Sequence, residues 1–250
     1  MFLGVRLLLP PTDPMPHLTH TLHDWNLTPK EAVALQRQLA GRVDVHQPLK
    51  SFELVAGCDI SYNRRSPILY AAIVVIRVST LEIVEQSIVS KEVKFPYVPG
   101  LLSFREAPPL IAAWERLECE PDVVMLDGQG IAHPRRLGLA CHLGLWLDKP
   151  TVGCAKTRLV GDYDEPGLEM ADTSPLRIGT EQVGVVLRSS RRAKPVFVSP
   201  GHKIDLASAI AVTVATLNGY RQPAPTRCAH IAANAGRTAG EPDSESPPQE

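Results

Sequence analysis

The stretch Asp122-Val-Val-Met-Leu-Asp127-Gly-Gln-Gly130-Ile-Ala-His133-Pro-Arg-Arg136-Leu-Gly138-Leu-Ala-Cys-His142-Leu-Gly144 decides how the chain is expected to fold. Its apolar run, residues 123–126, is typical of a buried strand, and the run ends on Asp127 and a glycine turn. In α/β sheets, ligands bind beyond the carboxyl ends of the strands, and glycines let the backbone approach a ligand closely. The stretch therefore predicts an α/β fold with chemistry at Asp127, although Asp127 could instead only accept hydrogen bonds within a tight turn.

Composition and charge narrow the classes of protein to which the chain can belong. With 250 residues, 44% hydrophobic and 21% charged, it is expected to form one domain with a full core. The formal net charge of −1 does not indicate a nucleic-acid binder, so any surface for nucleic acid must be a local basic patch. The five cysteines include no C-x-x-C pair, which argues against a zinc knuckle or disulfide framework and favours a reducing, cytoplasmic location. No apolar run reaches membrane-spanning length, so no membrane partner is expected.

Sequence patterns divide the chain into three regions. Residues 1–26 form an extension with little pattern, and Met15 is a plausible alternative start. Residues 27–222 carry the strand and helix patterns of a folded domain. From Pro223 to the end, residues 223–250 are small, polar and proline-bearing, which predicts a disordered tail.

The first strands of the domain are predicted to pair in an antiparallel meander. Apolar or alternating runs at 52–61, 68–78 and 81–93 are joined by connections too short for a crossover helix. Helices are predicted after the capping box of Thr28 and Glu31, and after Asp205, which is a good N-cap.

A proline-flanked tyrosine precedes the central helix pattern. Two prolines surround Tyr97 and stiffen its loop, so the loop would present a rigid aromatic tip. Ser103 and Glu106 then match a capping box for a helix running to about Leu117. Glu106 could therefore cap this helix rather than take part in chemistry.

Three acids could converge at the sheet, namely Asp59, Glu106 and Asp127. A carboxylate within an apolar strand, as at Asp59, is costly unless it is paired or binds a cation, although it could also face solvent. Together the three could hold one or two Mg²⁺ ions, which take oxygen ligands and promote phosphodiester hydrolysis. Lys156 and His202 could orient water or hold a phosphate.

Several motifs in this order resemble the endonuclease V family of deoxyinosine 3′ endonucleases. They are Val-Ala-Gly-Cys-Asp59, Pro-Tyr97-Val-Pro-Gly-Leu-Leu-Ser-Phe-Arg-Glu106, the stretch from Asp127 to His142, Pro-Thr-Val-Gly-Cys-Ala-Lys156 and Ser-Pro-Gly-His202. The resemblance implies an RNase H-like mixed sheet, its first three strands antiparallel, flanked by helices. It also implies Mg²⁺-dependent hydrolysis of the second phosphodiester bond 3′ to hypoxanthine, which is deaminated adenine. The products would carry 3′-hydroxyl and 5′-phosphate ends, in DNA repair or in inosine-RNA processing.

The resemblance also assigns roles to individual residues of the 27–222 domain. Asp59, Glu106 and Asp127 match the metal-binding acids, His202 the catalytic histidine and Lys156 an active-site lysine. Tyr97 matches the wedge that separates strands. Positions around the pocket for the everted base are matched by Pro99, Gly100, Leu102, Gly128 and Leu139. Glycines and leucines suit such a pocket, since a base that leaves the stack needs close backbone groups and apolar faces.

The expected cofactor is Mg²⁺, with Mn²⁺ as a substitute, and the expected partner is hypoxanthine-containing DNA or RNA bound by a monomer. A local patch for phosphates is predicted from the basic residues near strand ends: Arg135, Arg136, Lys156, Arg158 and Lys203. Arg135 and Arg136 could instead only pin their loop through carbonyl groups. His133 and His142 are expected to be structural.

Two other classes of function stay open at this point. A protein could keep the pocket and wedge and recognise deaminated nucleic acid without cleaving it, although all the expected acids are present. A cysteine hydrolase could use Cys141 or Cys154 with a histidine, but Cys141 falls in an apolar helix pattern typical of an inert, buried thiol.

Overall fold

The structure is a computed structural model that describes residues 21–64 and 66–240. The expectations for the start of the N-terminal extension, including Met15, and for the last ten residues lie outside the described residues.

Within the described residues, eight strands form one mixed sheet in the order β3-β2-β1-β4-β5-β8-β7-β6. The strands are β1 (Leu54–Ser61), β2 (Ile68–Arg77), β3 (Ile83–Glu92), β4 (Val123–Leu126), β5 (Thr151–Ala155), β6 (Thr173–Ile178), β7 (Glu181–Leu187) and β8 (Val196–Pro200). The first three pair antiparallel, whereas β4 lies parallel to both β1 and β5. The remaining pairs are antiparallel. The predicted mixed α/β sheet with an antiparallel start is confirmed.

Five helices flank this sheet in the described part of the chain: α1 (Pro29–Ala40), α2 (Leu102–Trp114), α3 (Leu139–Leu147), α4 (Leu206–Ala215) and α5 (Ala224–Gly240). The predicted capping box starts α1, with Thr28 Oγ1 accepting from the Glu31 amide and the Glu31 side chain accepting from the Thr28 amide. The predicted cap of α4 is present as well, because Asp205 accepts a hydrogen bond from the Ser208 amide. Among these helices none is both long and apolar enough to cross a membrane.

Alternate residues of the central strands feed two separate cores, one on each face of the sheet. Val55 and Met125 pack with residues of α4 and α5, whereas their neighbours Ala56 and Leu126 pack with residues of α2 and α3. This follows from the period of two in a strand, which sends successive side chains to opposite faces. Both faces are therefore covered, and the chemistry is left to the ends of the strands.

The prediction of disorder from Pro223 is wrong for residues 224–240, which form α5. The segment is small and polar on average, but Ala229, Ala232 and Ala233 form a buried stripe that joins the core of the sheet. Gly57 lets the helix approach closely, because a Cβ atom there would lie 2.0 Å from the carbonyl carbon of Pro225. Mean composition misses such a stripe, since small side chains gain burial through close approach rather than through size.

Candidate active site

A cavity of about 480 Å³ opens where three neighbouring strands end. Asp59 lies near the carboxyl end of β1, Asp127 follows β4 directly and Lys156 follows β5 directly. These strands run parallel, so their carboxyl ends meet at one edge of the sheet. The three side chains line the same cavity for this reason.

Glu106 lines the same cavity and comes from α2, which packs on one face of the sheet. The helix begins at Leu102, earlier than a capping box would require, and its N-cap Leu101 makes no side-chain cap. Ser103 lies inside the helix and bonds His142 instead. The capping alternative for Glu106 is therefore wrong, and its carboxylate finds no hydrogen-bond partner among the described residues.

A buried polar chain holds α2 against α3 and so positions Glu106. Trp146 Nε1 donates to His23 Nε2 (3.2 Å), so His23 Nε2 is an acceptor and also accepts from His142 Nε2 (2.7 Å). His142 Nδ1 is then left to accept from Ser103 Oγ at 2.8 Å. Burial holds the pKa of His142 well below its usual range, which keeps this chain neutral. The expected structural role of His142 fits these contacts.

The three carboxylates repel one another. Burial, followed by the charges of Asp59 and Asp127, raises the pKa of Glu106 to about 8. Burial and the charge of Asp127 likewise raise the pKa of Asp59, against the hydrogen bond from His230 and the charge of Lys156. A bound cation would relieve this repulsion.

Lys156 and Gln222 hold Asp127 in place. Lys156 Nζ lies 2.5 Å from Asp127 Oδ2, and Gln222 Nε2 donates to the same oxygen at 3.3 Å. The Asp127 side chain is 13% exposed and that of Lys156 is 35% exposed, so the ion pair is shielded from water on the Asp127 side. The carboxylate is thus a fixed part of the cavity wall rather than a turn acceptor.

His230 on α5 was missed by sequence reasoning. Its Nδ1 lies 2.6 Å from Asp59 Oδ2, and because a carboxylate only accepts, Nδ1 carries the hydrogen. Asn234, one turn later, donates to His230 Nε2 at 3.1 Å and accepts from Ser61 Oγ at 2.8 Å. The periodic alanines around His230 were the available signal, since they predict a helix with one buried face.

His202 does not line this cavity, so the structure does not bring it together with the other predicted catalytic residues. Strand β8 runs antiparallel to β5, pairing Pro200 with Val152, so the residues after β8 reach the opposite edge of the sheet. There His202 is buried, and its Nδ1 accepts from the Asp44 amide at 3.2 Å. Its contacts are those of a structural histidine.

The predicted wedge, Tyr97, and the five predicted base-pocket residues line the same cavity as the acids: Pro99, Gly100, Leu102, Gly128 and Leu139. Tyr97 is 63% exposed at the rim. Gly100 has a φ of +80°, and its carbonyl accepts from His133 Nε2 (3.0 Å) and Arg135 Nη2 (2.7 Å). The proline-flanked loop is therefore anchored at its end while its aromatic tip is free.

Of the five residues predicted to form a phosphate patch, Lys156 and Arg158 line the cavity. Arg135 instead binds the Gly100 carbonyl, and Arg136 binds the His133 carbonyl (3.2 Å) and Glu181 (2.5 Å). Lys203 pairs with Asp148 (2.6 Å) next to His202. The loop-pinning alternative is thus the one that the structure supports for Arg135 and Arg136.

The cysteine alternative finds no support in the structure. Burial raises the pKa of Cys141 to about 12, and its thiol faces the Pro200 carbonyl. Burial also raises the pKa of Cys154. Neither thiol lines the cavity, so neither is placed or activated as a nucleophile.

The donor set of the cavity fits Mg²⁺. Within residues 21–64 and 66–240 no three acid, histidine or cysteine side chains are already gathered as metal ligands. Asp127 instead pairs with Lys156, and Asp59 accepts from His230. Mg²⁺ prefers oxygen ligands and needs only one or two carboxylates beside water and substrate phosphates, so the acids present suffice.

Comparison with known proteins gives a consistent result. A family model described as Endonuclease V matches residues 37–231. A protein named Endonuclease V from Dehalococcoides mccartyi is 49% identical over 212 residues, covering 85% of this chain and 95% of that protein. The crystal structure of Endonuclease V from Streptomyces avermitilis has a TM-score of 0.80 at 42% identity, covering 84% of this chain and 93% of that one.

A more distant structure has the same fold. Endonuclease V from Ciona intestinalis, in complex with a DNA containing an inosine followed by a ribo-adenosine, has a TM-score of 0.73 at 24% identity. It covers 82% of this chain and 95% of that one. Because the family model spans most of the chain and close relatives match over nearly their whole length, the chain belongs to the endonuclease V family of deoxyinosine 3′ endonucleases.

Proposed function

We propose that this protein is a Mg²⁺-dependent endonuclease that recognises hypoxanthine in nucleic acid. It hydrolyses the second phosphodiester bond 3′ to that base and leaves 3′-hydroxyl and 5′-phosphate ends. The observation that carries the proposal is one cavity in which three acids, Lys156 and His230 lie beside glycines, leucines and an exposed tyrosine. All these groups come from a single chain, which supports action as a monomer.

The acids Asp59, Glu106 and Asp127 would hold the metal ion. When bound, Mg²⁺, or Mn²⁺ in its place, supplies a Lewis acid that stabilises charge on the phosphate being cleaved. Lys156 lies beside Asp127 and can hold a non-bridging phosphate oxygen of the strand. His230 donates to Asp59 and fixes the orientation of that carboxylate, while its side chain stays 45% exposed for exchange of a proton with water.

The remaining wall of the cavity suits an everted base. Gly100 and Gly128 bring backbone close to the bound group, and Leu102 and Leu139 supply apolar faces. Tyr97, exposed at the rim, would fill the gap that the base leaves in its strand. The inosine-containing DNA in the Ciona intestinalis structure is compatible with this role for the shared fold.

Cleavage of matched DNA and RNA oligonucleotides tests the proposal. Each strand carries one hypoxanthine or, as the control, one adenine, and each is incubated with Mg²⁺ or with EDTA. The expected result is a single incision at the second bond 3′ to hypoxanthine, in Mg²⁺ only, with a 5′-phosphate on the downstream product. Because the cavity contacts the base, both DNA and RNA are expected to be cut. Tight binding without incision would indicate instead a protein that only recognises the deaminated base.

A further inference from the structure

A second cavity, of about 520 Å³, adjoins the catalytic one. We call it the basic groove, and define it by its cationic lining residues: Lys156, Arg188, Arg191, Arg192, Lys194 and Arg221. Glu165 is the one acid among the residues that line it. Lys156 lines both cavities, so the basic groove continues from the catalytic site.

Some cations of the basic groove are bound to other residues of the protein, whereas others have no partner among the residues that the structure describes. Arg188 is buried and donates to the carbonyls of Gly167 and Ala193, and Arg191 pairs with Glu169. By contrast, the exposed side chains of Arg192 and Lys194 have no partner in the described part of the chain. Both lie in the turn between β7 and β8, so two uncommitted positive charges face the groove.

Arg221 joins the wall of the basic groove to the catalytic lysine. Its Nη2 donates to the carbonyls of Lys156 (2.5 Å) and Pro195 (3.2 Å), and its Nε donates to the carbonyl of Lys194 (3.0 Å). The turn that carries the two available cations is thereby held at a fixed distance from Lys156. A ligand that spans both cavities would meet one rigid surface.

One partly exposed aromatic ring, that of Tyr163, lines the same groove. It packs edge to face on Phe197, with ring centroids 5.4 Å apart, and Phe197 is buried in the core beneath it. An aromatic ring beside positive charges in a groove is a common feature of surfaces that bind single strands.

From these observations we propose that the basic groove binds the phosphodiester backbone of the substrate strand on the 3′ side of the bond that is cleaved. The inference rests on the proposed function, which places hypoxanthine among Gly100, Gly128 and Leu139 and the cleaved phosphate at the acids. Lys156 lies beside those acids, and the groove continues beyond it, so nucleotides 3′ of the cut reach Arg192 and Lys194. Backbone contacts by Arg and Lys position a strand without regard to its sequence.

The test compares two flank designs in two variants. One oligonucleotide has a long flank 3′ to hypoxanthine and a short 5′ flank, and the other has the reverse. The test variant is Arg192→Ala with Lys194→Ala. Its matched control is Lys91→Ala with Arg116→Ala, which removes one exposed lysine and one exposed arginine near β3. This is the outer strand on the side of the sheet away from β7 and β8.

The test variant is expected to lose kcat/KM on the long 3′ flank and to keep wild-type activity on the long 5′ flank, while the control variant behaves as wild type on both. Equal loss on both designs, or no loss on either, overturns the proposal. Tripolyphosphate, measured without Mg²⁺ because it chelates the ion, is the probe for a free phosphate compound. Tighter binding of tripolyphosphate than of the single strand, together with no flank preference in cleavage, overturns the proposal.

Binding without catalysis separates the groove from the proposed function. Fluorescence anisotropy in EDTA measures the affinity of a single strand that lacks hypoxanthine, over a range of salt concentrations. Each lost phosphate contact should lower the magnitude of the log–log salt slope by roughly 0.7. A smaller slope in the test variant supports the groove even if wild type cleaves nothing, in which case the proposed function alone has failed. An unchanged slope contradicts the groove itself.

Discussion

His202 and His230 both come after the last predicted strand. The path of the backbone after that strand decides which of the two lies beside the acids. The resemblance to the endonuclease V family assigned the catalytic role to His202, through the Ser-Pro-Gly-His segment. Because β8 runs antiparallel to β5, His202 lies at the end of the sheet opposite the cavity. Helix α5 instead places His230 beside Asp59. Strand direction depends on long-range pairing, which local patterns do not encode.

Substitution of the two histidines should separate catalysis from stability. We expect His230→Ala to lower the single-turnover cleavage rate by roughly a hundredfold to ten-thousandfold, the usual contribution of a proton-transferring side chain. His202→Ala should keep most of the activity but lose about 1–3 kcal/mol of stability, because the Asp44 amide loses its acceptor. Rates on a hypoxanthine oligonucleotide and urea unfolding measure the two effects. The reverse pattern, with His202→Ala inactive but stable, would refute the assignment.

Glu106 should make the metal-free protein less stable at higher pH. The folded protein keeps a proton on Glu106 up to about pH 8, whereas an ordinary glutamate releases it near 4.5. Between these values the unfolded chain binds fewer protons than the folded one, so stability falls as pH rises. In EDTA, the thermal midpoint of wild type should drop across this window, and Glu106→Gln should flatten the drop. A wild-type midpoint that rises steadily across the window would contradict the repulsion among the acids.

Among the elements, the loop before α2 was well predicted because its conformation is locally determined. Prolines and Gly100 restrict the backbone within a few residues of Tyr97, and no distant contact is needed to expose the ring. By contrast, the predicted start of α2 at a Ser103 capping box was wrong, because Ser103 bonds His142 on α3 and does not cap its own helix.

Removal of the Tyr97 ring should weaken recognition without affecting the fold. We expect Tyr97→Ala to lose about 1–3 kcal/mol of affinity for hypoxanthine-containing strands, the value of one base stacked on an aromatic ring. The thermal midpoint should not change, since the side chain is 63% exposed. Tyr220→Ala, which removes another exposed ring outside the cavity, is the control. Unchanged affinity in Tyr97→Ala would contradict the proposed role of Tyr97 as a wedge.

Close packing of α5 on β1 should be needed for activity. A methyl group at Gly57 would lie 2.0 Å from the Pro225 backbone, so Gly57→Ala must push α5 away or strain the strand. We expect a loss of about 1–3 kcal/mol of stability, typical of overpacking, and slower cleavage as His230 moves from Asp59. Hydrogen exchange in α5 and the cleavage rate are the measurements. Gly41→Ala, which has no atom within 4 Å of the added carbon, should behave as wild type. Wild-type exchange and activity in Gly57→Ala would show that the contact is not required.

Over the whole molecule, the order of the parallel strands brings distant motifs together. Asp59, Asp127 and Lys156 are far apart in the chain, yet β1, β4 and β5 are neighbours and end at one edge. The sheet type and most cavity residues could be predicted from apolar runs and motifs. The tail helix could not, because its alanine stripe is stable only against the sheet that it covers.

The positive charges of the basic groove are likewise brought together by the fold of the whole molecule. The net charge of −1 hides a groove in which cations outnumber acids beside the catalytic cavity. Its cations lie directly after β5, in the β7–β8 turn and in the segment before α5, so folding brings them together. Two arginines of the predicted phosphate patch, Arg135 and Arg136, instead hold their loop in place.

The central claim is that the carboxylates at the strand ends form one metal-dependent cleavage site, and Asp127→Asn tests it most directly. The substitution keeps the shape of the side chain and removes its charge. The measurement is the single-turnover cleavage rate of a hypoxanthine oligonucleotide in Mg²⁺, with circular dichroism to verify the fold. Loss of a metal ligand should remove several kcal/mol of transition-state stabilisation, a fall of at least about a thousandfold in rate. An Asp127→Asn variant that is folded and cleaves as fast as wild type would contradict the claim.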